Sequence, residues 1–182
     1  MKHFLLFTGH LIDAENRKTP RFPAHKESAA AKRLTDCLVQ IKQNTGETEF
    51  CGIAGGASGG DILFHETCQQ LEIPSEIYLA LPVDEFMEAS VSTAGAGWEA
   101  RYHKLIKELP VHILPKTEAT ENVWEKANDW MLIEALQNGG KNMTLLALWD
   151  GKGGDGPGGT EHMVNLAIAS GATVNIIDIT AL

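Results

Sequence analysis

Short apolar runs alternate along this chain with longer stretches of helical spacing. Residues 3–8 (HFLLFT) form a continuous apolar run, the pattern of a strand buried on both faces. Similar runs follow at 50–54, 76–81, 111–114, 143–149 and 173–179. Between them, helices are predicted over 24–43, 58–71, 84–90, 98–108, 122–136 and 160–170. The first carries Ala29, Ala30, Leu34, Leu38 and Ile41 along one side. Asn138-Gly139-Gly140 ends the fifth, and Gly171 closes the last. A small-residue break at 92–97 (STAGAG) is a candidate mobile segment, and 9–23 reads as a long polar loop. Structureless loops of about 15 residues are unusual in compact domains and often functional.

Strands alternating with helices predict an α/β fold: a doubly wound, mostly parallel sheet of about six strands with helices on both faces. Right-handed crossovers follow from the twist of strands. The 182 residues suffice for one domain, spanning 1–182. Ligands of such sheets bind beyond the carboxyl ends of the strands, at the switch point.

Two glycine-rich stretches fall on that edge. One is Gly52-Ile53-Ala54-Gly55-Gly56-Ala57-Ser58-Gly59-Gly60-Asp61, after the second predicted strand. The other runs from Trp149-Asp150-Gly151 through Gly158-Gly159-Thr160, after the fifth. Each precedes a helix, whose first N–H groups are unpaired and carry positive partial charge. Strand, glycine loop and helix together suit a phosphate, and two such loops suggest a nucleotide-like ligand. Neither loop has the GxGxxG or GxxxxGK[ST] spacing. The alternative is that the glycines only make tight turns.

Individual side chains on this edge extend the picture, each with a plainer alternative. Arg17 and Arg21 could add charge to a phosphate site, or be solvated surface groups. His10 could serve as an acid/base or base-contacting group, or simply occupy a turn. Asp61 either caps the helix or reaches a ribose hydroxyl, with capping preferred. Asp150 and Glu161 are carboxylates placed to hold ribose hydroxyls, and Glu161 is equally a first-turn acid. Trp98, Arg101 and Tyr102 follow the small-residue break, where Trp98 could stack on a base or pack in the core.

Bulk composition narrows the classes. The net charge of −9 disfavours general nucleic-acid binding. No run approaches the ~20 apolar residues of a membrane span. The first seven residues are too short for a signal segment, and Cys37, Cys51 and Cys68 share no metal-type spacing. The expectation is a cytoplasmic protein with no membrane partner. His25, His65, His103, His112 and His162 likewise form no metal set, though Mg2+ could arrive with a phosphate.

Taken together, the motifs resemble the SLOG superfamily, which includes DprA, Lonely-guy (LOG) and YpsA-like proteins. The resemblance covers nearly the whole chain. It rests on FTGHLID, RKTPRFPA, GGASGGDILF, LPVDEF, ENVWEKANDWM and WDGKGGDGPGGTEHMV. It implies a Rossmann-like sheet binding a nucleotide or nucleotide-derived ligand, as a sensor or processing protein. The phosphate would lie on Gly158, Gly159 and Thr160, with Gly55, Gly56, Ser58, Gly59 and Gly60 as the other wall and Gly9 on the same edge. LOG enzymes cleave the N-glycosidic bond of a modified adenosine monophosphate using a glutamate and an arginine near a PGGxGT turn. Here Thr160 follows the paired glycines directly. Glu161 matches the glutamate region, and Arg101 or Arg21 would have to stand in for the arginine. A ligand-free interaction module is a third reading. The resemblance also implies a homodimer through helices on the sheet faces.

Overall fold

The computed structural model describes residues 1–46, 49–115, 122–153 and 159–182. Six strands form one sheet: β1 (Lys2–Gly9), β2 (Glu49–Ala54), β3 (Ser75–Leu79), β4 (Val111–Ile113), β5 (Met143–Trp149) and β6 (Thr173–Asp178). The helices are α1 (Glu27–Asn44), α2 (Gly60–Gln70), α3 (Val83–Ser90), α4 (Ala96–Glu108), α5 (Val123–Ala135) and α6 (Thr160–Ala169). The strand order is β4-β3-β2-β1-β5-β6, and every neighbouring pair is parallel. The predicted doubly wound α/β architecture is therefore the observed one.

Successive side chains of a strand point to opposite faces, so an apolar strand feeds two cores. In β1, Leu5 and Phe7 join Leu34 and Leu38 of α1 and Ile62 and Phe64 of α2. Phe4 and Leu6 join Met131 and Leu132 of α5 and Met163 and Val164 of α6. The chain first steps outward from β1 to β4, with its helices on the first face. It then crosses back to β5 on the other side of β1, and α5 and α6 lie on the second face. Reversing the walk at constant crossover hand requires this change of face. β1 and β5 are thus neighbours whose following segments diverge, which opens a crevice at their carboxyl ends.

Two segments differ from expectation in detail. The 92–97 break is a single 3-10 turn (Ser92–Ala94) leading into α4, with Gly95 at φ 94° between them. The polar loop after β1 is tied down along its length. Ile12 and Phe22 are buried, Ile12 N–H donates to Ser58 O (3.0 Å), and Asp13 N–H donates to Phe22 O (2.8 Å). These two buried apolar residues supply an anchor that the prolines and charges around them obscure. No described helix is long and apolar enough to cross a membrane.

Candidate functional site

A cleft of about 600 Å3 opens beyond the carboxyl ends of β1, β2, β3 and β5. Thr8, Gly9 and His10 come from β1 and its following loop, and Gly55, Ala57 and Asp61 from the segment after β2. Gly159 and Thr160 open α6 on one side, with Arg21 and Trp149 nearby. The facing wall is α5, which presents Trp124, Ala127, Asn128 and Met131, the i, i+3, i+4, i+7 positions of one helix face. Asn122 fixes the start of that helix by accepting from Trp124 N–H (3.0 Å) and Glu125 N–H (3.4 Å). Trp124 remains 38% exposed, its ring 5.7 Å from that of Phe86 in α3.

At the α6 end, Gly159 is the N-cap in an extended conformation (φ −74°, ψ 177°), and among the described residues no side chain caps the helix. Gly159 and Thr160 line the cleft, so the positive end of the α6 dipole lies at its edge. Thr8 Oγ1 lies 3.5 Å from Thr160 Oγ1, a contact at the limit of a hydrogen bond. Arg21 is held beside them by a bidentate pair: Nε donates to Asp150 Oδ2 and Nη2 to Oδ1, both at 3.0 Å. Those bonds hold the Asp150 carboxyl well below the usual carboxylate range, against the opposing effect of burial. Lys152 N–H also donates to it (3.0 Å). His10 Nε2 lies 3.2 Å from Asp150 Oδ1. Burial first, then the charge of Arg21, lowers the His10 pKa and outweighs the attraction of Asp150.

Arg17 stands apart from this group. It donates to Thr19 O (2.9 Å) and lies 3.4 Å from Asp13 Oδ1, outside the cleft lining. Asp13 also accepts the Arg21 N–H (2.9 Å), so this part of the loop braces Arg21.

Most glycines of the first loop meet protein. A Cβ on Gly56 would lie 3.0 Å from the Tyr102 ring, and one on Gly60 2.9 Å from the Phe7 ring. At Gly59 (φ +105°) it would fall 2.4 Å from Ile12 N. Ser58 is buried, its hydroxyl donating to Ser90 O (3.1 Å). Of the predicted wall, Gly55 and Asp61 line the cleft, whereas Gly56, Ser58, Gly59 and Gly60 do not. The Gly55 carbonyl accepts from Nε2 of buried His65 (2.9 Å), whose Nδ1 faces the Ser75 hydroxyl (3.0 Å). Burial pushes the His65 pKa down to about 4, so the ring stays neutral and the carbonyl fixes its tautomer.

Asp61 does not cap α2, whose N-cap is Gly59 without a side-chain bond. Its Oδ2 instead accepts the Ala57 N–H (3.1 Å), folding the carboxyl back onto the loop. Loop geometry, invisible in sequence spacing, decides this departure from expectation. Trp98 is buried, with the Arg101 guanidinium 3.9 Å above its ring. Arg101 also binds Glu66 (2.8 Å) and Glu27 (2.7 Å), tying α4 to α2 and α1. Neither residue lines the cleft. Glu161 is exposed at the start of α6, also outside that lining. Gly158 lies outside the described residues. The α5 wall and Phe86 are lining groups that the sequence reading missed. The signal was present in Trp124 and Asn128, a turn apart within an otherwise apolar stripe.

The fold and this edge cleft define a Rossmann-like α/β protein. No family model and no curated protein matches the sequence. Among solved structures, the chain is similar to the X-ray structure of DNA processing protein A (DprA) from Streptococcus pneumoniae. The TM-score is 0.53 at 14% identity, covering 94% of this chain and 49% of that one. The chain thus spans about half the length of that protein, and the likeness establishes a DprA-like fold.

Proposed function

We propose that this chain binds a nucleotide or nucleotide-derived ligand in the switch-point cleft, as a sensor or processing protein. One observation carries the reading: Gly159 and Thr160 at the α6 start line the same cleft as Arg21 and Trp124, and among the described residues no side chain caps that helix. A phosphate at Gly159 and Thr160 would receive backbone N–H groups and the helix dipole. Arg21 places its guanidinium on the same cleft, with its charge largely offset by the paired Asp150. Trp124 and Phe86 offer aromatic surface to a base, and Asn128 an amide to its polar edge. A divalent cation would come with the phosphates. Among the described residues no three His, Cys, Asp or Glu side chains converge to hold one.

The reading is tested by thermal unfolding and calorimetry against AMP, ADP-ribose, NAD, cyclic nucleotides and N6-modified AMP. A ligand at 100 times its Kd stabilises by about 2.7 kcal/mol. That raises Tm by several degrees, at roughly 2–4 °C per kcal/mol for a domain of this size. Gly159→Asp locates the phosphate. The backbone at Gly159 suits any residue, and an Asp there would cap α6, adding a few tenths of a kcal/mol. The same carboxylate would occupy and repel the phosphate position. The expected variant folds at least as well as the parent and loses binding more than tenfold. Unchanged affinity would remove the phosphate from this helix.

A further inference from the structure

Asp61 is the cleft carboxyl whose placement the nucleotide reading leaves unexplained. Its Oδ2 accepts the Ala57 N–H and sits over Gly55, where a Cβ would come within 2.6 Å of it. Gly55 is itself pinned by His65. The carboxyl is therefore fixed in orientation, and among the described residues the Ala57 N–H is its hydrogen-bond partner. Among the described residues no cation pairs with it. Arg21 is bound to Asp150, and Arg101 is bound to Glu27 and Glu66 away from the cleft. The α3 and α5 walls contribute no charged side chain to the cleft. The remaining titratable groups around it are His10, from the loop after β1, and Tyr78, from β3. On the elements packed behind it, Tyr102 donates to Val83 O, His65 is neutral, and Glu76 pairs with His112.

An ionised, uncompensated carboxylate in a cleft that accepts phosphate would repel its own ligand. A neutral carboxyl there is an O–H donor. The Asp61 segment follows β2 and the α6 start follows β5, with β1 between them. Two strand spacings, about 10 Å, separate the ends of β2 and β5. A phosphate at α6 would thus leave the nucleoside portion of the ligand reaching toward Asp61.

We propose that Asp61 reads the uncharged end of the ligand as a neutral carboxyl, donating an Oδ1–H hydrogen bond to an acceptor such as a ring nitrogen of the base. The inference rests on the nucleotide reading and adds to it a recognition residue and a class of ligand atom. Donor-only edges, which a carboxylate would favour, are selected against. Burial supports the assignment by pushing the Asp61 pKa up to about 7. Binding then takes up a proton wherever the free carboxyl is ionised. Affinity is highest below that pKa and falls toward tenfold per pH unit above it. Burial and the charge of Arg21 lower the His10 pKa, so His10 carries less charge than an ordinary imidazole at any given pH, and any pH dependence left in Asp61→Asn reports its share.

The experiment is calorimetric titration with ADP-ribose and with cyclic AMP, whose phosphates do not titrate between pH 6 and pH 8.5. Binding should weaken roughly thirtyfold from pH 6 to pH 8.5, with a proton taken up at the higher pH. Asp61→Asn keeps an acceptor for Ala57 N–H and supplies an amide donor. It should bind with a flat pH dependence, close to the parent at pH 6. Carboxyl-carbon NMR of the free parent should show Asp61 titrating near 7, and a midpoint near 4 would overturn the inference whatever binds. Equal parent affinity at both pH values would overturn it while leaving the nucleotide reading intact. No binding of either probe at either pH would overturn the nucleotide reading and this inference with it.

Discussion

The two glycine-rich segments look alike in sequence and are opposite in space. Around the first, protein occupies the room that side chains would need: Tyr102 against Gly56, Ile12 N against Gly59, Phe7 against Gly60. In the second, among the described residues, a Cβ on Gly151 would meet nothing within 4 Å, and one on Gly153 only the flexible end of Glu161 at 3.3 Å. Glycine permits close approach of a backbone, and the approaching body can be the protein itself or a ligand. The first loop lets α2 and the loop after β1 pack against the sheet edge. At the end of the second, Gly159 and Thr160 line the cleft. The nucleotide reading therefore rests more on the second loop than on the pair.

The sharpest way to break this comparison is Gly59→Ala. Its φ of +105° is strained for any L side chain, and the new methyl would overlap backbone. Strain and overpacking together should cost about 4 kcal/mol, read by denaturant unfolding. A loss below about 1 kcal/mol would mean that the first loop is as open as the second. Next in size is Arg21→Ala, which removes the partner of Asp150 at the start of the second loop. Stranding a largely buried carboxylate should cost about 3 kcal/mol at pH 7. The native Asp150 pKa is depressed, so its stabilisation is in place above about pH 4. That stabilisation is lost as pH falls toward the native value. The variant should lack this acid-dependent fall, and an unchanged stability–pH profile would discount the ion pair.

The fold was legible because each strand is a short apolar run and each helix a periodic one, as β1 and α1 illustrate. The site was legible only in part. Arg21 and Asp150 lie 129 positions apart, and nothing in either neighbourhood announces a bidentate pair. Arg101 carried the right charge near a promising break, yet Glu27, Glu66 and Trp98 hold it on the outer face. Asp61 sat correctly at a helix start, but the turn before it directs the carboxyl to Ala57. The α5 wall was read as a helix and not as a lining. Helical period marks which residues share a face but is silent on whether that face meets a core or a cavity.

The smallest effects probe the second loop from within. Gly151 has φ +73° in open space, so Gly151→Ala tests backbone strain alone and should cost about 1 kcal/mol. Gly153 is free of that constraint, and among the described residues the neighbour a Cβ would meet is a carboxylate that can swing away. Replacing a compatible glycine restricts the unfolded chain, so Gly153→Ala should stabilise by about 0.5 kcal/mol. In a domain of this size that is a rise of about 1–2 °C in Tm. The sign is the informative part. The same Gly→Ala change would be strongly destabilising at position 59 and mildly stabilising at 153, because one glycine touches protein and the other faces space. A destabilising Gly153→Ala would show that the second loop is also packed from within, and the α6 start would then be less open to a phosphate.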